Sequence, residues 1–199
     1  MGITKLSKSG FKSSSYEKYN DFLAGNTAYS PFAPASYESI ATVTVGSGGA
    51  SEINFTSIPS TYTHLQVRGI QLTSGGNWGL RLQVNSDTGN NYATHRVGSF
   101  GTGTFADSAA NNSFINIGLA GTVTSTFGGT VVDILDYANT NKFKTVRSLN
   151  GFNENGSGYV IFNSGLWRNT NAITSLKFLL QSSGTFIQYS QFALYGVKG

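Results

Sequence analysis

Residues Ser51 to Leu72, SEINFTSIPSTYTHLQVRGIQL, decide the fold class. Ile53 and Phe55 alternate with polar neighbours, as the inward side chains of a half-buried strand do. Ser57 to Thr63 breaks the alternation around Pro59, which has no amide hydrogen to give a sheet ladder. Leu65 and Val67 restart it. Gly69 then interrupts, and Ile70 and Leu72 follow one residue out of phase, the pattern of a β-bulge at a glycine. The stretch reads as a strand, a tight corner and a long bulged strand, a unit that passes the chain from one sheet to another.

Working outward, Ala41, Val43 and Val45 alternate with threonines, and the glycine-rich Gly46 to Ala50 predicts a hairpin into Ser51 to Thr56. Downstream, Leu80, Leu82 and Val84 mark one face of a strand. Asn85 to Asn91, NSDTGNN, is a dense turn cluster, and Tyr92 to Val97 is a strand. Gly98 to Asn112 lacks a core pattern and reads as loop. Thr130 to Tyr137 and Tyr159 to Phe162 are apolar on both faces, which places them centrally in a sheet. Asn150-Gly151 and Asn155-Gly156 mark tight turns. Leu176, Phe178 and Leu180 alternate again, and Tyr189 to Val197 is the last strand. About ten short strands separated by glycine and asparagine turns predict an all-β fold, and the long connections favour a jelly-roll β-sandwich over a meander.

The first 36 residues differ, and we divide the chain into an arm, 1–36, and a β body, 37–199. Lys5, Lys8, Lys12 and Lys18 gather in the arm, and no strand alternation is visible. Ser14 and Glu17 have capping-box spacing, and Tyr16, Tyr19, Phe22 and Leu23 follow at helical spacing before Gly25. This predicts one short amphipathic helix. A helix of that length is unstable alone, so its aromatic stripe needs a partner surface. The arm is therefore expected to anchor the protein, through Lys5, Lys8, Lys12, Tyr16, Tyr19, Phe22 and Leu23.

Composition narrows the chemistry. The chain has 199 residues, 25 glycines, no cysteine and 11% charged residues. The absence of cysteine excludes disulfides, thiolate metal sites and cysteine nucleophiles. A formal charge of +4 is modest and scattered, unlike the clustered basic face of a nucleic-acid reader. No apolar run is long enough to cross a bilayer as a helix. His64 and His95 are the only histidines, too few beside no cysteine for a zinc site. No Walker loop or GxSxG elbow occurs, and no metal, cofactor or catalytic residue is expected. Asp133 and Asp136 are three apart in a strand and face opposite sides. Trp78, Tyr92 and Trp167 are candidate rings for stacking on a glycan, against the packing role that buried aromatics usually fill.

Three segments carry a resemblance. FTSIPSTYTHLQVRG (Phe55 to Gly69), LRLQVNSDTGNNY (Leu80 to Tyr92) and FALYGVKG (Phe192 to Gly199) resemble a set of tailed-bacteriophage virion proteins, in order and spacing. The resemblance implies a virion structural protein with a jelly-roll body, assembled in the bacterial host cytoplasm and displayed on the virion surface. It carries over no catalytic residue. We expect a capsid decoration (cement) protein; a tail or head fibre, receptor-binding protein is the alternative, and a carbohydrate-binding module a further one. The expected partners are a second and third copy in a homotrimer, the major capsid protein or another virion protein, and a host-surface glycan.

Overall fold

The computed structural model describes residues 36–74, 79–122, 125–181 and 184–198. The expected helix with Tyr16, Tyr19, Phe22 and Leu23, the lysines Lys5, Lys8 and Lys12, and Trp78 lie outside the described residues. The chain divides between Ser36 and Tyr37. The strands are β1 (Tyr37–Thr44), β2 (Glu52–Phe55), β3 (His64–Gln71), β4 (Gly79–Val84), β5 (Tyr92–Phe100) and β6 (Gly103–Asn112). They continue with β7 (Ile115–Leu119), β8 (Gly128–Leu135), β9 (Lys144–Asn153), β10 (Gly158–Trp167), β11 (Leu176–Leu180) and β12 (Gln191–Val197).

Two antiparallel sheets result. The larger runs β1-β12-β3-β8-β9-β10-β5-β6 and the smaller β2-β11-β4-β7. Their facing sides share one core, in which Ile53, Leu65, Leu82, Ile115, Ile134, Phe178 and Phe192 are buried. Inward residues alternate most plainly in β11, which buries Leu176, Phe178 and Leu180 and leaves Lys177 and Leu179 half-buried. This is the period-two burial that defines a sheet covered on one face.

The corner at Pro59 does carry the chain from the small sheet (β2) to the large one (β3). Ile58 is buried beneath it, and the Tyr137 hydroxyl donates to the Pro59 carbonyl. The expected bulge at Gly69 is absent. Register against β12 and β8 runs unbroken, so Ile70 faces outward, 49% exposed. Gly69 answers to packing instead: a Cβ there would press on the Phe192 ring.

Three further expectations are corrected. The stretch after Val45 is no hairpin, because β1 pairs with β12 in one sheet and β2 with β11 in the other. Partners from the far end of the chain override the local turn signal. Gly98 to Asn112 is no loop but the end of β5, a turn and β6. Nearly every β6 residue is exposed, so it has no apolar face for the sequence to display. Asn150-Gly151 lies inside β9, and only Asn155-Gly156 turns, both at positive φ.

The free edge of β7 is covered by side chains of the opposite sheet. Leu119 N–H donates to Asn150 Oδ1 (2.8 Å), and its carbonyl accepts from Asn150 Nδ2 (2.9 Å) and the Tyr159 hydroxyl (2.8 Å). Ser148 Oγ donates to the Ile117 carbonyl at 2.9 Å. Gly118, at φ +136°, leaves the room that the Asn150 amide fills. An unpaired edge inside a sandwich would otherwise bury orphan backbone groups, at a cost of about 1–3 kcal/mol each.

Candidate functional site: the outer face of the large sheet

The sequence motifs that carry the resemblance resolve into packing. Asp87 sits at the centre of the Asn85 to Asn91 turn. It accepts from Gly89 N–H (2.8 Å), Asn91 Nδ2 (3.0 Å) and the Trp167 indole N–H (2.7 Å). Burial raises its carboxyl pKa, but these hydrogen bonds outweigh that and hold it below the usual carboxylate range. The Tyr92 hydroxyl donates to the Asp87 carbonyl and accepts from Val84 N–H. Burial pushes that hydroxyl up to about 12. Tyr92 and Trp167 are thus core residues, 0% and 1% exposed, and present no ring to a glycan. Each has its polar tip satisfied by that one turn, Tyr92 from beside it in sequence and Trp167 from 80 residues away.

The corner motif and the terminal motif meet. Tyr62 lies over Gly196, where a Cβ would collide with its ring, and its hydroxyl donates to Glu38 at 3.0 Å. Lys198 pairs with the same carboxylate. Other carboxylates are also engaged at separate places: Glu52 with Lys177, Asp107 with Arg96, Asp133 with Gln66 and Asp136 with Lys142. His64 Nδ1 accepts from Asp136 N–H at 2.9 Å. His95 faces outward from β5. Among the described residues no cluster of three or more His, Asp or Glu could hold a metal ion.

Among the described residues, the feature without a covering partner is the outer face of the large sheet. Outward side chains come into register across it. One row runs Arg68, Val131, Leu149, Phe162 and Val97, over β3, β8, β9, β10 and β5. The next runs Ile70, Gly129, Gly151, Val160 and Ser99 on the same strands. Val97, Leu149 and Val160 are each more than half exposed, and Phe162 is 45% exposed. β8 and β10 are central, as their two-faced apolarity predicts, but only their inner face is covered by the described residues. Two-faced apolarity in a sequence marks position in a sheet but does not distinguish a covered outer face from an exposed one.

The second row contains a trough. Gly129 and Gly151 put no side chain between Ile70 and Val160, and a concavity of about 450 Å³ lies over them. At one end of the face Arg68 lies over the Tyr37 and Tyr195 rings, at 5.7 and 5.5 Å, and donates to Gln66 at 2.9 Å. A second concavity, about 530 Å³, lies at the β9–β10 turn. Its groups are spent internally: Tyr159 is stacked between Phe100 and Phe152, and Asn153 Oδ1 accepts from Asn155 N–H. No family model, no curated protein and no solved structure matches this chain.

Proposed function

We propose that this chain is a structural component of a tailed-bacteriophage virion, a decoration protein on the capsid surface attached through Met1 to Ser36. The observation that supports this most is the order of the strands. Set the β5–β6 and β9–β10 pairs aside, and eight strands remain in the orders β1-β12-β3-β8 and β2-β11-β4-β7. That is the order of a jelly roll with two inserted hairpin pairs, and it supports this finer reading of the sandwich; jelly rolls serve in viral capsids and in lectins. The three motifs that resemble virion proteins pack within that body, so the resemblance is compatible with the topology. The lectin-like reading loses support, because Tyr92 and Trp167 are buried. The apolar sheet face that the described residues leave uncovered suits a protein that works within an assembly.

The test uses particles made by the encoding genome after deletion of this coding segment. Purified full chain added back should bind the capsid, and a chain beginning at Tyr37 should not. Binding confined to the tail would move the protein to the fibre class. No binding anywhere on the particle would contradict a virion role.

A further inference from the structure

We infer that the outer face of the large sheet is a two-fold interface between two copies of this chain. A two-fold interface must be self-complementary: what protrudes on a face must find its matching recess on that same face. This face carries both. Val131 and Leu149 stand as a ridge in one row, and Gly129 and Gly151 form the trough in the next row of the same two strands, β8 and β9.

The geometry of the pairing follows from the register. Take a two-fold axis lying in the interface, running across the strands between the two rows. It sets each row of one copy over the other row of its partner. Val131 then enters the recess at the partner's Gly129, and Leu149 that at the partner's Gly151. Phe162 meets the partner's Val160 beside them. An axis along the strands would set ridge on ridge. A three-fold arrangement would not exchange the rows at all. The geometry therefore favours a dimer over the trimer expected from sequence.

Size and rim agree with this occupant. Five strands about 4.8 Å apart, with the two rows and the polar row that borders them, cover a plan of roughly 25 by 20 Å, about 500 Å² before corrugation. A standard interface buries about 800 Å² a side, so this face holds a dimer of modest strength. One border of it is polar: Asp133, Arg147, Ser164 and His95 form the next row, paired in register across β8, β9, β10 and β5. An apolar centre with a polar border matches the anatomy of a protein interface.

The trough offers a test that leaves the protomer intact. A Cβ at Gly129 meets nothing within 4 Å, and Leu149 is 54% exposed, so neither Gly129→Leu nor Leu149→Glu disturbs the core. Sedimentation of the full chain over a concentration series should show a monomer–dimer equilibrium. Each variant should weaken dimerisation at least about tenfold with an unchanged far-UV spectrum, Leu149→Glu more because like charges are brought together. A wild-type chain that is monomeric up to about 1 mM, or trimeric, would overturn the inference. So would an association that neither variant weakens, which would put the contact elsewhere. None of these outcomes bears on attachment to a particle, so this inference and the virion reading fail separately.

Discussion

Asp87 illustrates how single residues hold this fold. One carboxylate gathers the turn before β5 and the Trp167 indole at the end of β10. Asp87→Ala should cost about 1–3 kcal/mol in denaturant unfolding, because it removes charge-assisted hydrogen bonds. The pH dependence has a defined sign. A carboxyl whose folded pKa lies below its unfolded value, near 3.9, contributes stability that is complete above that value and is lost as pH falls through the folded one. Melting of the wild type should therefore fall steeply below about pH 4, and Asp87→Asn should flatten part of that acid limb. Equal acid slopes in the two proteins would remove Asp87 from the account. Gly196 makes the reverse case, where adding atoms is harmful. Gly196→Ala should destabilise by about 1–3 kcal/mol, since the Tyr62 ring already occupies the space. Substitution without loss, read by the same unfolding curves, would mean that the ring moves freely.

At the scale of the element, β7 shows how side chains of the opposite sheet cover a strand edge. The edge of β7 is closed by Asn150, Ser148 and Tyr159. Asn150→Ala strands a buried N–H and weakens the cover on a buried carbonyl, and should cost about 2–4 kcal/mol. Hydrogen exchange at Leu119 should accelerate in that variant more than exchange in β11. Uniform acceleration would indicate general loosening rather than an opened edge. What the sequence made legible also divides by element. Strands with a buried face were readable, because burial every second residue leaves a periodic trace: β3, β4 and β11 lie where Leu65, Leu82 and Phe178 fall in alternation. β6 was not readable, because a strand exposed on both faces leaves none. The pairing of β1 with β12 was hidden for another reason: no local turn records a partner at the far end of the chain. Asn150-Gly151 read as a turn because the dipeptide suits one, while the structure uses the amide to cover an edge and the glycine to form a recess.

At the scale of the molecule, the body is closed by its own residues and one sheet face is left uncovered by those described. The candidate surface was only half legible. The sequence showed apolar residues on both faces of β8 and β10, but not that one of those faces is left uncovered by the described residues. Glycan candidates failed for a related reason, since a ring that sits beside a turn can as well be the turn's inner support. On the proposed function, a chain beginning at Tyr37 should keep a cooperative melt and lose attachment. Within the arm, Phe22→Ala should weaken attachment more than Lys8→Ala, because burying an aromatic side chain is worth about 1.5–3 kcal/mol and an exposed ion pair about 0–1. The reverse order in a particle-binding assay would make the attachment electrostatic.

The central claim is a place in a particle, and imaging tests it most directly. Electron cryo-microscopy of particles produced by the encoding genome should resolve this two-sheet body on the outer capsid surface, with chain leading from Tyr37 into the underlying shell. Particles whose capsid and tail both lack the body, while the chain is abundant in the infected cell, would contradict the account.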